Sequence, residues 1–456
     1  MHARNAPKIV IIGAGSTVFT PGLIADLAAS PSLSNATVAL VDIDADAAAA
    51  MARFAERVVR ERGVGLRVEH TADRRQALPG ADFVTTTIAI GGARGWERDV
   101  RICERHGVWQ TVGDSVGPGG VFRALRHVPE LVAIARDMEE LCPDAWLFNY
   151  TNPLTALARA VQKTTRIKCV GLCHGILTTR ELIARDLGVA HAELHLVAAG
   201  VNHLCWVLDL RHDGRDVYPR FREIIRRQAA AADPTAANQG GDPYEAFQQV
   251  SARLMEIYGY FPSPGDRHVA EFFAHYLRPV DGLLRYGTQA GLDETNQILA
   301  SRDERWDRIR AQADGRVPLD ADLLEEAREG ERVIAIIDAI VNDRPMFELA
   351  VNVRNDGLIP NLPAWAVVET PGAIGGYGVR GVSVGPLPDG IAGILNARVR
   401  QQELTVDAAL SGDRRLALQA LLADPLVPSV EAAAAMLDEA LAAHARYLPQ
   451  FAAAKA

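Results

Sequence analysis

Two short stretches hold the side chains best suited to chemistry. One is Gly171-Leu-Cys173-His174-Gly175-Ile176; the other, thirty residues on, is Gly200-Val-Asn202-His203. Cys173 follows an apolar strand-like run, where open α/β sheets place their ligand sites. His203 stands between two further strand-like runs. A thiolate and an imidazole sharing one ion suit Mn, Fe, Co, Ni or Zn better than Mg or Ca. Two protein ligands leave the other coordination positions to water and substrate oxygens, as in a catalytic site. On spacing alone, a buried cysteine and a hydrogen-bonded core histidine explain both residues more simply. The neighbouring residues change that balance.

A second constellation opens the chain. Residues 8–12 (KIVII) form a β-branched run ending at Gly13, and a helix is expected from Pro21 to Ala29. Between them, Gly13, Gly15, Ser16 and Thr17 are placed to cradle a pyrophosphate with backbone donors at a helix N-terminus. The third glycine of the usual fingerprint is replaced by Val18. Asp42, at the end of the second strand, compensates. A carboxylate there binds both ribose hydroxyls and repels a 2′-phosphate, which favours NAD over NADP. Asp44 is a weaker alternative for the same role.

These residues need a scaffold of strands ending at one edge. Strands are expected at 8–12, 37–41, 82–88, 145–149 and 168–172. Helices are expected through about Arg62, at 124–141 and at 153–163. The alternation predicts an α/β fold with a Rossmann-type, doubly wound parallel sheet. After about residue 190 the rhythm changes. Strands are expected at 194–199 and 204–210, with a turn at His212-Asp-Gly214, and 229–243 reads as a polar loop fit to serve as a lid. Helices are expected at 244–257, 291–313 and 320–341. A Gly-rich segment, 372–385, separates them from Ala/Leu-rich helices at 389–424 and 429–447. The expected division is a nucleotide-binding domain at 1–192 and an α+β substrate, metal-binding and oligomerisation domain at 193–456.

The bulk properties set limits. A chain of 456 residues exceeds one simple domain. A net charge of −9 argues against a nucleic-acid partner. No apolar run reaches the ~18 residues of a membrane span, and the N-terminus has no secretory pattern. Five cysteines, an odd and small number, fit a reduced, cytoplasmic setting.

In order along the chain, several motifs together resemble glycoside hydrolase family 4, the NAD- and divalent-metal-dependent glycosidases. They are KIVIIGAGSTVFTPGL, Gly113-Asp114-Ser115 with Gly117-Pro-Gly-Gly120 and Arg123, and Asn149-Tyr-Thr-Asn152-Pro153-Leu154. The series continues with the Cys173 and His203 stretches and ends at Asn355-Asp-Gly357-Leu-Ile359-Pro-Asn361-Leu362-Pro363. The resemblance covers most of the chain and implies a lactate/malate dehydrogenase-like fold. It implies Cys173 and His203 as ligands of Mn²⁺ or another divalent transition metal, with Asn152 and Asn202 near substrate and Asn149 near NAD. It also implies a homodimer or homotetramer, to which the C-terminal helices would contribute.

The implied chemistry joins the two cofactors. NAD takes a hydride from sugar C3, the metal polarises the ketone, a base removes the C2 proton, the aglycone leaves by elimination, and water and hydride then return. The resemblance marks His174, next to the metal-binding cysteine, as the acid. The base falls in Tyr258-Gly-Tyr260-Phe-Pro-Ser-Pro-Gly-Asp266-Arg267-His268, with Asp266 first and His268 and Tyr260 behind it. The tyrosine motif of phospho-sugar members is lacking. Cys-His-Gly resembles members acting on α-glucuronides or α-galacturonides, whose carboxylate an arginine would hold: Arg94, Arg123 or Arg267. A sulfoquinovoside would satisfy the same arginine, and neutral α-glucosides and α-galactosides are further alternatives. A lactate/malate-type dehydrogenase is the rival outside the family.

Overall fold

The computed structural model describes residues 6–235, 246–324 and 332–452. Its first half alternates strands and helices. β1 (Lys8–Ile12), α1 (Thr20–Ala29), β2 (Thr37–Val41), α2 (Ala45–Arg62), β3 (Arg67–Thr71) and the short α3 (Arg74–Ala77) come first. β4 (Phe83–Thr86), α4 (Gly92–Arg105), α5 (Gly117–Leu141), β5 (Trp146–Asn149), α6 (Leu154–Thr164), β6 (Lys168–Gly171) and α7 (Gly175–Leu187) follow. The six strands pair in parallel in the order 3-2-1-4-5-6, the order of dinucleotide-binding folds. Their apolar runs follow from burial on both faces. Val10, Ile12, Ala39 and Val41 enter one core, while Ile9, Ile11, Val38 and Leu40 enter the other.

The second half extends the same sheet. β7 (Leu194–Val201), β8 (Leu204–His212) and β9 (Arg215–Asp216) form antiparallel hairpins. α8 (Tyr218–Ala231), α9 (Gln249–Tyr258), β10 (Phe261–Ser263), α10 (Asp266–Val269), α11 (Gly291–Ala313) and α12 (Arg332–Val341) follow. Then come β11 (Met346–Arg354), β12 (Val367–Gly375) and β13 (Gly378–Gly381), and last α13 (Asp389–Ser411), α14 (Arg414–Leu422) and α15 (Val430–Ala443). β11 pairs antiparallel with β6, so one sheet runs from β3 to β10 without a break. The expected boundary at 192 falls in the turn between α7 and β7.

Several sequence expectations change. The Gly-rich segment 372–385 is no spacer. It is largely the β12–β13 hairpin, and β11 was missed beside it. Glycine is needed there for closeness: a Cβ at Gly378 would lie 2.1 Å from the Trp146 ring. β3 was missed because its residues are largely exposed at the sheet edge. The helix expected at 124–141 starts at Gly117. The expected 320–341 helix is described only as a turn at Ala321–Leu324 and α12. The lid expectation at 229–243 falls on the end of α8 and on residues 232–235 after it, and from 236 on lies outside the described residues. The Ala/Leu-rich helices spend much of their apolar surface internally, α13 on α5 and α6. Among the described residues no helix is long and apolar enough to cross a membrane.

Candidate active site

The turn after β1 forms the nucleotide end. Gly13 and Ala14 donate to the Val41 carbonyl at 2.9 and 3.0 Å, which ties the turn to the end of β2. Gly13 has φ +91°, and a Cβ there would lie 2.7 Å from the Thr87 carbonyl carbon. Only glycine fits both demands. The Asp42 carboxylate accepts from Gly15 N at 2.8 Å and from Asp44 N at 3.0 Å. Gly13, Gly15, Ser16 and Asp42 line a cleft of about 490 Å³, with Ile43 and Ile88 beside them. Thr17, in the same turn, does not line it. Val18, in place of the third glycine, is exposed, because the turn runs on before α1 begins at Thr20.

Two expected nucleotide residues have other duties. Asp44 is the N-cap of α2, accepting from Asp46 N and Ala47 N. Asn149 is fully buried; its Oδ1 accepts from Thr86 Oγ1 at 2.9 Å, and its Nδ2 donates to the Thr151 carbonyl. That amide orders the turn leading to Asn152 and has little left for a cofactor.

At the other end, β6 delivers Cys173 just past its last residue, and the sulfur accepts from Gly175 N at 3.4 Å. The β7–β8 hairpin turns through Asn202 and His203, and His203 takes φ +67°, a conformation uncommon for a residue with a side chain. Its Nδ1 is buried without a hydrogen-bond partner among the described residues. Asn202 meets the Cys173 side chain, and the Asp114 carboxylate acts on both Cys173 and His203. Burial holds His203 down to about 4, with Asp114 opposing, so the ring is neutral as a metal requires. Burial and the Glu369 carboxylate push the Cys173 thiol up to about 12, and a cation would release that proton. Among the described residues no three His, Cys, Asp or Glu groups form a closed metal cage.

Around this pair lie Asp114, quoted above only as part of a motif and assigned no role, and two glutamates that sequence reasoning missed. Asp114 accepts from Asn152 Nδ2 at 3.0 Å and from Ser115 Oγ at 2.6 Å. Glu369 on β12, 3% exposed, accepts from Asn202 at 2.9 Å, Asn352 at 2.7 Å and Cys205 at 3.3 Å. A lone glutamate in the apolar run Val367-Val368-Glu369 was its only sequence signal. Asn202 therefore meets Cys173 with its amide held by Glu369, rather than standing free for substrate. Glu271 accepts from Val112 N and Gly113 N at 2.8 and 2.7 Å and so holds the loop carrying Asp114.

The expected catalytic residues separate. Asp266 accepts from Val250 N and Ser251 N, each at 2.7 Å, and caps α9. Burial pushes its carboxyl up to about 6, but both oxygens are engaged, which corrects its reading as the base. Tyr260 is half-buried, its ring edge-on against Tyr218 with 6.4 Å between ring centres. His268, on α10, lies against the His203 ring at 4.0 Å. His174 is half-buried at the start of α7, its ring 6.2 Å from Tyr150.

The three arginines also differ. Arg94 is exposed on α4. Arg267 is half-buried, close enough to His203 and His268 to disfavour their protonation. Arg123 is 9% exposed, with Nε on the Asn152 carbonyl at 3.0 Å and its guanidinium 5.9 Å over the Trp96 ring. Asp114 is the charge that most opposes the effect of its burial.

The fold is a dehydrogenase-like scaffold in which Cys173 and His203 both feel the Asp114 carboxylate, and the comparisons supply the family. Residues 8–189 match the family 4 glycosyl hydrolases and residues 198–427 match the family 4 glycosyl hydrolase C-terminal domain. The chain belongs to glycosyl hydrolase family 4 and is a glycoside hydrolase, which sets the dehydrogenase alternative aside. It is 32% identical to an α-galactosidase of Bacillus subtilis (strain 168), over 97% of this chain and 99% of that protein. An α-galacturonidase of the same organism is 33% identical over 92% and 93%. Among solved structures, a 6-phospho-alpha-glucosidase from gut microorganisms, in complex with NAD and glucose-6-phosphate, aligns with TM-score 0.81. It is 25% identical, with 98% of this chain and 99% of that chain covered.

Proposed function

We propose that this enzyme hydrolyses an α-glycoside with an anionic C6 group, an α-glucuronide or α-galacturonide, using NAD and a divalent transition metal, Mn²⁺ first. Residues 1–192 would serve the nucleotide and 193–456 the sugar, the metal and assembly as a homodimer or homotetramer in the cytoplasm. The observation that carries the substrate reading is Arg123. Its guanidinium is buried beside the Asn152–Asp114 pair, and among the described residues only its Nε is hydrogen-bonded within the chain. Such a fork is suited to a carboxylate.

The residues present fit both cofactors. The Asp42 carboxylate lines the cleft beside Gly13, Gly15 and Ser16, and the Nδ1 of His203, unpartnered among the described residues, together with the Cys173 sulfur suits a divalent transition metal. When bound, NAD supplies a reversible hydride acceptor for sugar C3, and the ion a Lewis acid for the C2 and C3 oxygens. Asn152, held by Asp114, orients the sugar next to Cys173. His268 replaces Asp266 as the group that takes the C2 proton, because its ring adjoins His203 and the Asp266 carboxylate is spent. His174 delivers a proton to the departing aglycone oxygen. Trp96, its indole N–H on the Val112 carbonyl at 2.7 Å, lies under the Arg123 guanidinium.

The α-galactosidase relative favours one alternative, a neutral α-galactoside. A panel of nitrophenyl α-glycosides with NAD and Mn²⁺, including uronides, a sulfoquinovoside and neutral hexosides, separates these. Cleavage of the uronides at the highest kcat/KM supports the reading. Preference for the neutral galactoside refutes it.

A further inference from the structure

The far rim of the dinucleotide cleft carries two arginines that the proposed function leaves unused. Arg74 and Arg75 begin α3, directly after β3, and line the same cleft as Gly13, Gly15 and Asp42. β3 lies parallel to β2 with Thr71 beside Val41, and the Asp42 amide donates to the Thr71 carbonyl at 3.3 Å. The two arginines and the Asp42 carboxylate thus extend from the C-terminal ends of neighbouring strands. In such folds an acid at this place binds the ribose diol, whereas a nearby arginine accepts a 2′-phosphate. This chain has both.

The arginines are already engaged. Asp137, on α5 across the cleft, accepts from Arg74 Nε at 2.7 Å and from Arg75 Nη1. Glu140 takes Arg75 Nη2 at 2.7 Å, and Glu130 lies 3.6 Å from Arg74 Nη1. Asp137 is the shared partner, and its side chain is 16% exposed. Counting Asp42 and Asp73, five carboxylates surround two guanidinium groups at this rim, so its net charge is negative.

We propose that Asp137 determines selectivity at the cofactor's 2′ position: its carboxylate occupies the donor forks of Arg74 and Arg75, so that the cleft takes NAD and rejects NADP. The proposal rests on the NAD reading above. Arginine binds carboxylate and phosphate through the same donors, so clamp and 2′-phosphate compete directly. Removing Asp42 lifts repulsion but frees no donor. Removing Asp137 frees donors on both arginines.

Calorimetric Kd values for NAD and NADP on the full chain test this without relying on turnover. The variants are Asp137→Asn, Asp137→Ser, and Asp137→Asn combined with Arg74→Ala and Arg75→Ala. The ratio of NADP Kd to NAD Kd is expected to fall at least about tenfold, or about 1.4 kcal/mol, in both single variants. It is expected to return to the wild-type value when the arginines are removed. An unmoved ratio in both single variants, with thermal unfolding still cooperative, overturns the proposal. So does a shift that survives loss of both arginines. Wild-type protein that binds neither dinucleotide overturns the function reading together with this one; NAD binding with an unmoved ratio overturns this one alone.

Discussion

His203 and His268 lie ring against ring, centroids 4.0 Å apart and planes 41° from parallel. One belongs to a two-residue hairpin turn and the other to a one-turn helix, and their contact brings the segment after β10 up to the β7–β8 turn. Both rings are kept neutral by burial. The consequences are testable at each partner.

On the proposed reading, replacing Cys173 by Ser or His203 by Ala removes one of the two ligands of an open metal site. The Mn²⁺ concentration for half-activation is expected to rise by about 10–100-fold or more. Titration of metal-stripped protein measures it. Activity that persists undiminished after chelation and dialysis would remove the metal from the account.

The base assignment separates His268 from Asp266. In heavy water, His268→Ala is expected to lose deuterium incorporation at sugar C2. Asp266→Asn is expected to keep it while lowering stability by about 1–2 kcal/mol through the weakened cap of α9. The opposite pattern would restore Asp266 as the base.

Glu271 predicts a pH dependence of stability. Burial pushes its carboxyl up to about 8 from the usual 4.5, although two backbone amides favour the charged form. The folded state therefore keeps a proton that the unfolded chain releases. Its contribution is largest at acid pH and is lost as pH rises from about 4.5 through about 8. Each tenfold in proton affinity is worth about 1.4 kcal/mol. Glu271→Gln is expected to flatten this part of the profile in urea-unfolding midpoints. Equal slopes in both proteins would discount it.

Arg123→Met tests the anionic subsite. Losing a charge-assisted pair should lower kcat/KM for a uronide by about 10–100-fold and leave a neutral glycoside less affected. Equal losses on both substrates would assign Arg123 to holding Asn152 rather than to specificity.

Much of this protein was legible along the chain. The runs at 8–12 and 37–41 could only be strands buried on both faces, because parallel sheets leave no polar side. The tight turn at Gly13, the acid at Asp42 and the order of the family motifs are local patterns, and they are readable without folding. The antiparallel strands β11 to β13 were not, since glycines that admit Trp146 and Val351 look like spacers until those partners are in place.

What tertiary structure alone decided is which polar groups are free to act. Asp266, Asn149 and Asp44 look available in sequence, yet each is consumed by amides or hydroxyls, Asp266 by a helix that begins 17 residues earlier. Asp114, Glu369 and Glu271 look ordinary, yet folding carries them to the Cys173–His203 centre and its supports. A residue type states what chemistry a side chain is capable of. Whether that capacity is spent depends on partners distant in the chain, because a buried polar group must find a hydrogen bond wherever the fold offers one.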